Sequence, residues 1–284
     1  MRRRVSDGVR LSGVIESPKN ERIRQYRRLR KRNFRYREGK FLVEGLQCVA
    51  EALVSGHVPE CLICSSKGLD AMAAYADVIR ERAIPCYNAA DDVIASLSAT
   101  VTPQGIIAVS PLVHVDISSL LGEIPATILI ANRVRDPGNL GNMVRIADAA
   151  GAGGMVVCAE SADLYNAKTV RSTAGSLFHL PLSVGQDIAA AARTLKESGF
   201  TLLAADAHSG TGMWEIEWPE RLALVMGNEA WGIPHDEEAL VDEIVHIPLM
   251  GHAESLNVSA AAAILLYEAA RKRAEESGGE GTVG

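Results

Sequence analysis

Residues 128–157 read ILIANRVRDPGNLGNMVRIADAAGAGGMVV. The opening apolar run reads as a short buried strand ending at Ala131, because β-branched residues bounded by polar ones suit a covered sheet. A polar loop follows. A helix is expected to begin near Pro137–Asn139, since proline is tolerated in the first helical turn. Gly151-Ala152-Gly153-Gly154 then reads as a helix end and turn ahead of a second buried strand. Strand, helix, strand in one continuous stretch is the repeating unit of a parallel α/β sheet. Asn139 is placed to cap the helix, and Arg145 to lean back toward its N-terminus, as long helical side chains do. Free N–H groups at such an end favour an anion. Arg145 stands among Met143, Val144, Ile146 and Ala147, an apolar neighbourhood for a guanidinium; the plain alternative is an arginine on the outer face of the helix.

The same alternation extends downstream. ATILIAN, GMVVCA, LPLSV, TLLAAD, RLALVMG and EIVHIP read as short buried strands with helical patterns between several of them. In LALVMGNEAWGIP (222–234) a buried strand runs into Gly227, Asn228 and Glu229. In HIPLMGHAESLNVSAAAAILLYEAARKR (246–273) a strand ends at Ile247-Pro248, and Ser255 or Asn257 can cap a long small-residue helix. All three segments put glycine or polar residues at the C-terminal ends of strands, where open α/β sheets bind ligands.

Upstream lies a smaller α/β run. KFLVEG, ECLICS, IPCYN and GIIAVS read as strands, and LQCVAEALVSG, GLDAMAAYADVIRERA and ADDVIASLS as helices. Residues 110–124 break the rhythm and read as a linker. Residues 17–38 read as one helix starting at Ser17-Pro18, with Ile23, Tyr26 and Leu29 on a narrow apolar face and arginine elsewhere. The chain of 284 residues carries a net charge of -6, but residues 1–40 hold 15 Lys/Arg against 4 Asp/Glu, a local +11 on a body of −17. A basic end on an acidic body suggests an anionic partner, with nucleic acid first. Tyr26, Phe34 and Tyr36, interleaved with arginine, favour RNA over a merely solvated face, because rings can stack on bases while arginine holds phosphates.

Several classes are excluded. No apolar run approaches the roughly 18–20 residues of a membrane span, and the basic start lacks an apolar signal core. Five scattered cysteines argue for reduced thiols in the cytoplasm, and the lone Cys61-x-x-Cys64 pair for core packing. The dinucleotide fingerprint GxGxxG, the GxxxxGK[ST] phosphate loop, GxSxG and HExxH are all absent. His179, His246 and His252 sit singly beside strand ends and read as structural, so no metal is expected.

DPGNLGNMVR (136–145), VMGNEAWGIP (225–234) and IPLMGHAESLNVSAAAAI (247–264), in that order, resemble the three motifs of the SpoU/TrmH family, with TVRSTAGSLFHLPL (169–182) between them. These are RNA ribose 2'-O-methyltransferases of the SPOUT class that use S-adenosylmethionine. VEGLQCVAEAL (43–53) and PQGIIAVS (103–110) more loosely resemble the L30e-like RNA-binding domain that many members carry in front. The resemblance implies an L30e-like α/β domain followed by an α/β methyltransferase domain with a deep trefoil knot, working as a homodimer. The expected division is a flexible basic start at 1–16, the L30e-like domain at 17–109, a linker at 110–124, the methyltransferase domain at 125–275 and a disordered tail at 276–284.

By the same resemblance Gly227, Ile247 and Leu256 would hold S-adenosylmethionine, mainly through backbone groups. Arg145 matches the catalytic arginine, and Asn139, Glu229, Ser255 and Asn257 match the polar motif positions that shape the site. Arg22, Arg24, Arg27, Arg28, Arg30, Lys31, Arg32 and Arg35 are the expected RNA contacts in the basic run. The front domain tilts the substrate toward 23S-type ribosomal RNA, with a role in antibiotic resistance open. Transfer RNA is the alternative within the class, and a ribosome-associated RNA-binding protein without catalysis the alternative outside it.

Overall fold

A computed structural model of the chain describes residues 9–122, 127–207 and 209–276, in two compact units. The first comprises residues up to Val113 together with Tyr165–His179, and the second His114–Leu164 together with the chain from Leu180 onward. Of the flexible start expected at 1–16 and the disordered tail expected at 276–284, residues 1–8 and 277–284 lie outside the described residues.

The first unit runs β1 (Leu11–Ile15), α1 (Glu21–Arg28), α2 (Arg32–Glu38), β2 (Lys40–Glu44), α3 (Leu46–Val54), β3 (Cys61–Cys64), α4 (Ser66–Met72), α5 (Ala76–Glu81), β4 (Cys86–Ala89), α6 (Asp91–Leu97) and β5 (Ile106–Pro111). Its sheet has the order β1-β4-β3-β5-β2. β1, β4 and β3 pair in parallel, and β5 runs antiparallel to β3 and β2. Ile23, Tyr26 and Leu29, the predicted apolar stripe of α1, are buried with Val93, Ile94 and Leu97 of α6 and with β3 and β5.

Two expectations are corrected here. Leu11–Ile15, assigned to a flexible start, forms the edge strand β1: its backbone pairs with β4 although Gly13 interrupts the apolar pattern. The single basic helix is two helices. α1 starts later than Ser17-Pro18, capped by the Asn20 side chain, and ends at Leu29. Arg35 explains the break. Its guanidinium donates to the carbonyls of Leu29 (2.9 Å) and Arg30 (3.0 Å), so it satisfies backbone acceptors that a continuing helix would have used. Arg35 is only 5% exposed, which removes it from the expected RNA contacts.

The chain continues with β6 (Thr127–Ala131), α7 (Pro137–Ala149), β7 (Gly154–Cys158), α8 (Ala167–Ser172), β8 (Leu182–Gln186), α9 (Ile188–Glu197), β9 (Thr201–Ala205), β10 (Thr211–Gly212), β11 (Leu222–Met226), α10 (His235–Glu238), β12 (Glu243–His246) and α11 (Val258–Glu276), all in the second unit except α8, which falls in the first. Every pair in the sheet β10-β12-β9-β11-β6-β7-β8 is parallel. Its fully buried strands are the near-continuous apolar runs expected when both faces are covered. α11 packs along α7, with Ala262 fully buried. The expected linker at 110–124 begins inside β5 and contains a short 3-10 turn at Ile117–Leu120 whose ends are buried.

Residues 165–179, expected in the methyltransferase domain, pack within the first unit. The Tyr165 hydroxyl accepts from Val113 N (3.0 Å), Arg171 pairs with Glu44 (3.3 Å), and His57 Nε2 meets the Phe178 carbonyl (3.2 Å). Gly175 (φ 107) is required there, since a Cβ would fall 2.3 Å from Cγ of Glu51. All five cysteines are buried free thiols, as expected of core residues. Burial pushes the Cys61 thiol up to about 11, away from the reactive thiolate.

Candidate active site

Four neighbouring strands of the second unit end level with one another. Ala131 pairs with Met226, Met226 with Ala205, and Ala205 with Val245. The chain beyond β9, β11 and β12 closes around a cleft of about 360 Å3, within the roughly 300–1,000 Å3 of small-molecule sites. Gly227, Ile247 and Leu256, from three separate segments, all line it, and so do Glu229 and Ser255. Met226, Leu249 and Leu265 add apolar wall, while Asp206 and Glu254 add carboxylates.

The Gly227 turn has no room for a side chain. A Cβ would fall 2.4 Å from the carbonyl carbon and oxygen of Gly232 and 2.8 Å from the Ile233 nitrogen. The turn is closed by reciprocal backbone bonds between Asn228 and Gly232 (2.8 and 3.0 Å). The Asn228 amide donates to the Arg133 carbonyl (2.9 Å), which ties this turn to the loop after β6. Arg133 itself adopts φ 58 and pairs with the buried Glu237 (2.7 Å), which also accepts from Asn132. Asn132, Asp206 and Glu237 were missed from sequence, and Asn228 was named in its turn without a role. Asn132, Asn228 and Asp206 follow strand ends closely, and that position was the available signal; Glu237 lies in a short helix that carried none.

α7 starts as expected, with Pro137 in its first turn, but Asp136 is its cap rather than Asn139. Asp136 Oδ1 accepts from the N–H groups of Gly138 (2.7 Å) and Asn139 (2.9 Å). Glu229 takes the next two donors, Arg135 N (3.1 Å) and Asp136 N (3.0 Å). The free N–H groups expected to attract a ligand anion are therefore satisfied by the protein's own carboxylates. Burial pulls the Glu229 carboxyl upward, but these N–H groups and the Asn139 amide outweigh it and hold the group below the ordinary carboxylate range.

Asn139 is fixed from both sides. Its amide donates to Glu229 (3.1 Å), and its carbonyl oxygen accepts from the Asn257 amide (2.9 Å). Asn257 caps α11, accepting from Ser259 N (2.9 Å), Ser259 Oγ (2.6 Å) and Ala260 N (3.3 Å). Asn139, Glu229 and Asn257, one from each motif, thus form a continuous chain of side-chain bonds. Ser255 stands apart in the cleft wall. Arg145 lies farther along α7, exposed, with no hydrogen bond or ion pair among the described residues.

The residues present fit S-adenosylmethionine. Glycine and apolar walls can expose backbone to an adenine, and Asp206, Glu229 and Glu254 suit a cationic ligand. Among the described residues no group of three or more His, Cys, Asp or Glu could hold a metal ion.

Residues 126–267 match the SpoU rRNA Methylase family, and residues 20–108 an MRM3-like substrate binding domain. The chain is 36% identical over 254 residues to the 23S rRNA (guanosine(2553)-2'-O)-methyltransferase RlmP of Bacillus subtilis, covering 89% of this chain and 97% of that one. It is 31% identical to the 23S rRNA (uridine(2479)-2'-O)-methyltransferase of Streptomyces viridochromogenes, covering 90% and 91%. The crystal structure of an AdoMet-bound rRNA methyltransferase from Sinorhizobium meliloti superposes with a TM-score of 0.79 at 29% identity, over 91% of this chain and 98% of that one. With the SpoU match spanning 126–267 and relatives aligned over nine-tenths of their length, the chain belongs to the SpoU rRNA methylase family and has the SPOUT fold.

Proposed function

We propose that the protein is an S-adenosylmethionine-dependent 2'-O-methyltransferase acting on 23S ribosomal RNA. The observation that carries this reading is the convergence of Gly227, Ile247 and Leu256 on one cleft, beside the bonded trio Asn139, Glu229 and Asn257. Relatives covered over nine-tenths of their length methylate ribose 2'-oxygens of 23S rRNA by name, which favours that substrate over transfer RNA.

S-adenosylmethionine, when bound, supplies an electrophilic methyl group on a sulfonium. The protein's task is to orient a ribose 2'-hydroxyl and to stabilise the charge that grows on its oxygen. Arg145 suits that task because its guanidinium is exposed and makes no hydrogen bond or ion pair among the described residues. A guanidinium offers N–H donors and no acceptor, so rather than serving as a general base it binds a phosphate next to the target ribose and stabilises the developing oxyanion. Asn139, Glu229 and Asn257 are positioning residues: they lock the start of α7 to the cleft loops and so set where Arg145 projects. Ser255 lines the cleft, where its hydroxyl would be available to a bound ligand.

The protein is further proposed to act as a cytoplasmic homodimer. α11 leaves Ile264 and Tyr267 exposed, an apolar surface suited to a second copy, and the free thiols fit a reducing compartment. No helix among the described residues is long and apolar enough to cross a membrane. Incubating purified 23S rRNA and transfer RNA with methyl-labelled cofactor tests the reading. A 2'-O-methylated nucleotide in 23S rRNA is expected, and label confined to transfer RNA would refute it.

A further inference from the structure

The first unit contains a cleft of about 630 Å3 where α1 and α2 face the starts of β2 and β3 and the strand β4. Arg22, Arg28, Phe34, Lys40, Glu60 and Tyr87 line it. The basic run was expected to offer its rings to bases and its arginines to phosphates, but the rings here are already covered. The Arg22 guanidinium lies 4.5 Å from the centre of the Tyr87 ring. Arg28 lies 4.1 Å from the centre of Phe34, and Arg37 4.4 Å from the same ring. The aromatics thus hold flat guanidiniums on exposed side chains, and a guanidinium plane is itself a platform for a nucleobase.

Glu60 gives the cleft a second property. Its carboxylate accepts from the Tyr26 hydroxyl (3.0 Å) and pairs with Lys40, which fixes its place. A fixed carboxylate would repel an acidic peptide, yet it can accept an N–H from a base edge. A shallower groove lined by Arg24 and Arg27 continues from the cleft along α1, sharing Gln25 and Arg28 with it. That groove suits a phosphate backbone.

We propose that this cleft takes one unpaired nucleotide of a single-stranded RNA segment. Its base stacks on a guanidinium plane held by Tyr87 or Phe34, its edge faces Glu60, and the flanking phosphates follow Arg24 and Arg27. The inference rests on the reading of the chain as an RNA methyltransferase and assigns the substrate contact in its first unit.

Fluorescence anisotropy of the full chain with a short labelled single-stranded RNA tests it, using the double variant Arg22→Lys/Arg28→Lys. Lysine keeps both charges and removes both planes. Affinity is expected to fall about tenfold, within the range lost when a base loses a stacking partner, while the salt dependence stays as in the wild type. S-adenosylmethionine affinity by calorimetry and the thermal midpoint should not move, which separates loss of the site from loss of folding. Wild-type RNA affinity in the lysine variant overturns the inference and leaves the methyltransferase reading standing. A wild-type chain that binds the cofactor but no RNA overturns both.

Discussion

The Asn257 side-chain amide donates to the Asn139 carbonyl oxygen at 2.9 Å, joining the cap of α11 to the first turn of α7 across 118 positions of sequence. Asn257 therefore does two things at once, and they can be separated. Asn257→Ser keeps an oxygen that can cap α11 and loses the amide, so stability should fall by only about 1 kcal/mol, the worth of one hydrogen bond. Asn257→Ala also loses the cap and should cost roughly 0.5–2 kcal/mol more. Urea unfolding measures both. Methyl transfer should drop in both variants, because each frees the start of α7.

Glu229 predicts a pH dependence with a definite sign. Its folded-state carboxyl is depressed, so its contribution is complete above the unfolded value of about 4.3 and is lost as pH falls through the lower folded value. The stability advantage of the wild type over Glu229→Gln should be constant near neutrality and shrink on acidification below that range. Chemical denaturation of the two proteins across pH checks this; a difference that grows with acid would contradict it.

Gly227→Ala should weaken cofactor binding with the sheet left folded. The new methyl group would meet Gly232 backbone at 2.4 Å, so the turn must open and the cleft wall with it. Calorimetry should show S-adenosylmethionine affinity lowered by at least about tenfold, the equivalent of roughly 1.4 kcal/mol.

Arg35 and Arg24 predict opposite phenotypes from one basic run. Arg35→Ala removes a buried guanidinium from two carbonyls and should destabilise the protein by about 1.5–3 kcal/mol. Arg24→Ala, on an exposed position, should leave the melting curve unchanged. It should weaken RNA binding and reduce the salt slope by about one unit. Point substitutions are needed for this comparison, because Ile23, Tyr26 and Leu29 of the same segment are core.

The segments that build the cleft were legible because they lie at strand ends, and parallel topology brings such ends together. The choice of Gly227, Ile247 and Leu256 within those segments came from the family resemblance. The parallel sheet itself was legible from the apolar runs of β6, β7 and β11. Features made by long-range side-chain bonds were not. Asn139 looked like a helix cap, yet Asp136 caps and Asn139 bonds outward to Glu229 and Asn257. Arg35 looked like any arginine of a charged face, because nothing local announces that the chain turns at Leu29. β1 was hidden by Gly13 and by its place on an edge, where one neighbour suffices. The packing of residues 165–179 in the first unit rests on contacts with Val113, Glu44 and His57, which are distant in sequence.

Single-turnover methyl transfer to 23S rRNA by Arg145→Lys, compared with the wild type, tests the central claim most directly. The account predicts a wild-type product methylated at a ribose 2'-oxygen. For the variant it predicts transfer slower by about 10²–10³-fold, the scale of losing one oriented oxyanion donor, with unchanged cofactor affinity. A lysine variant that transfers at the wild-type rate, or a wild-type enzyme that places the methyl group on a base, would contradict it.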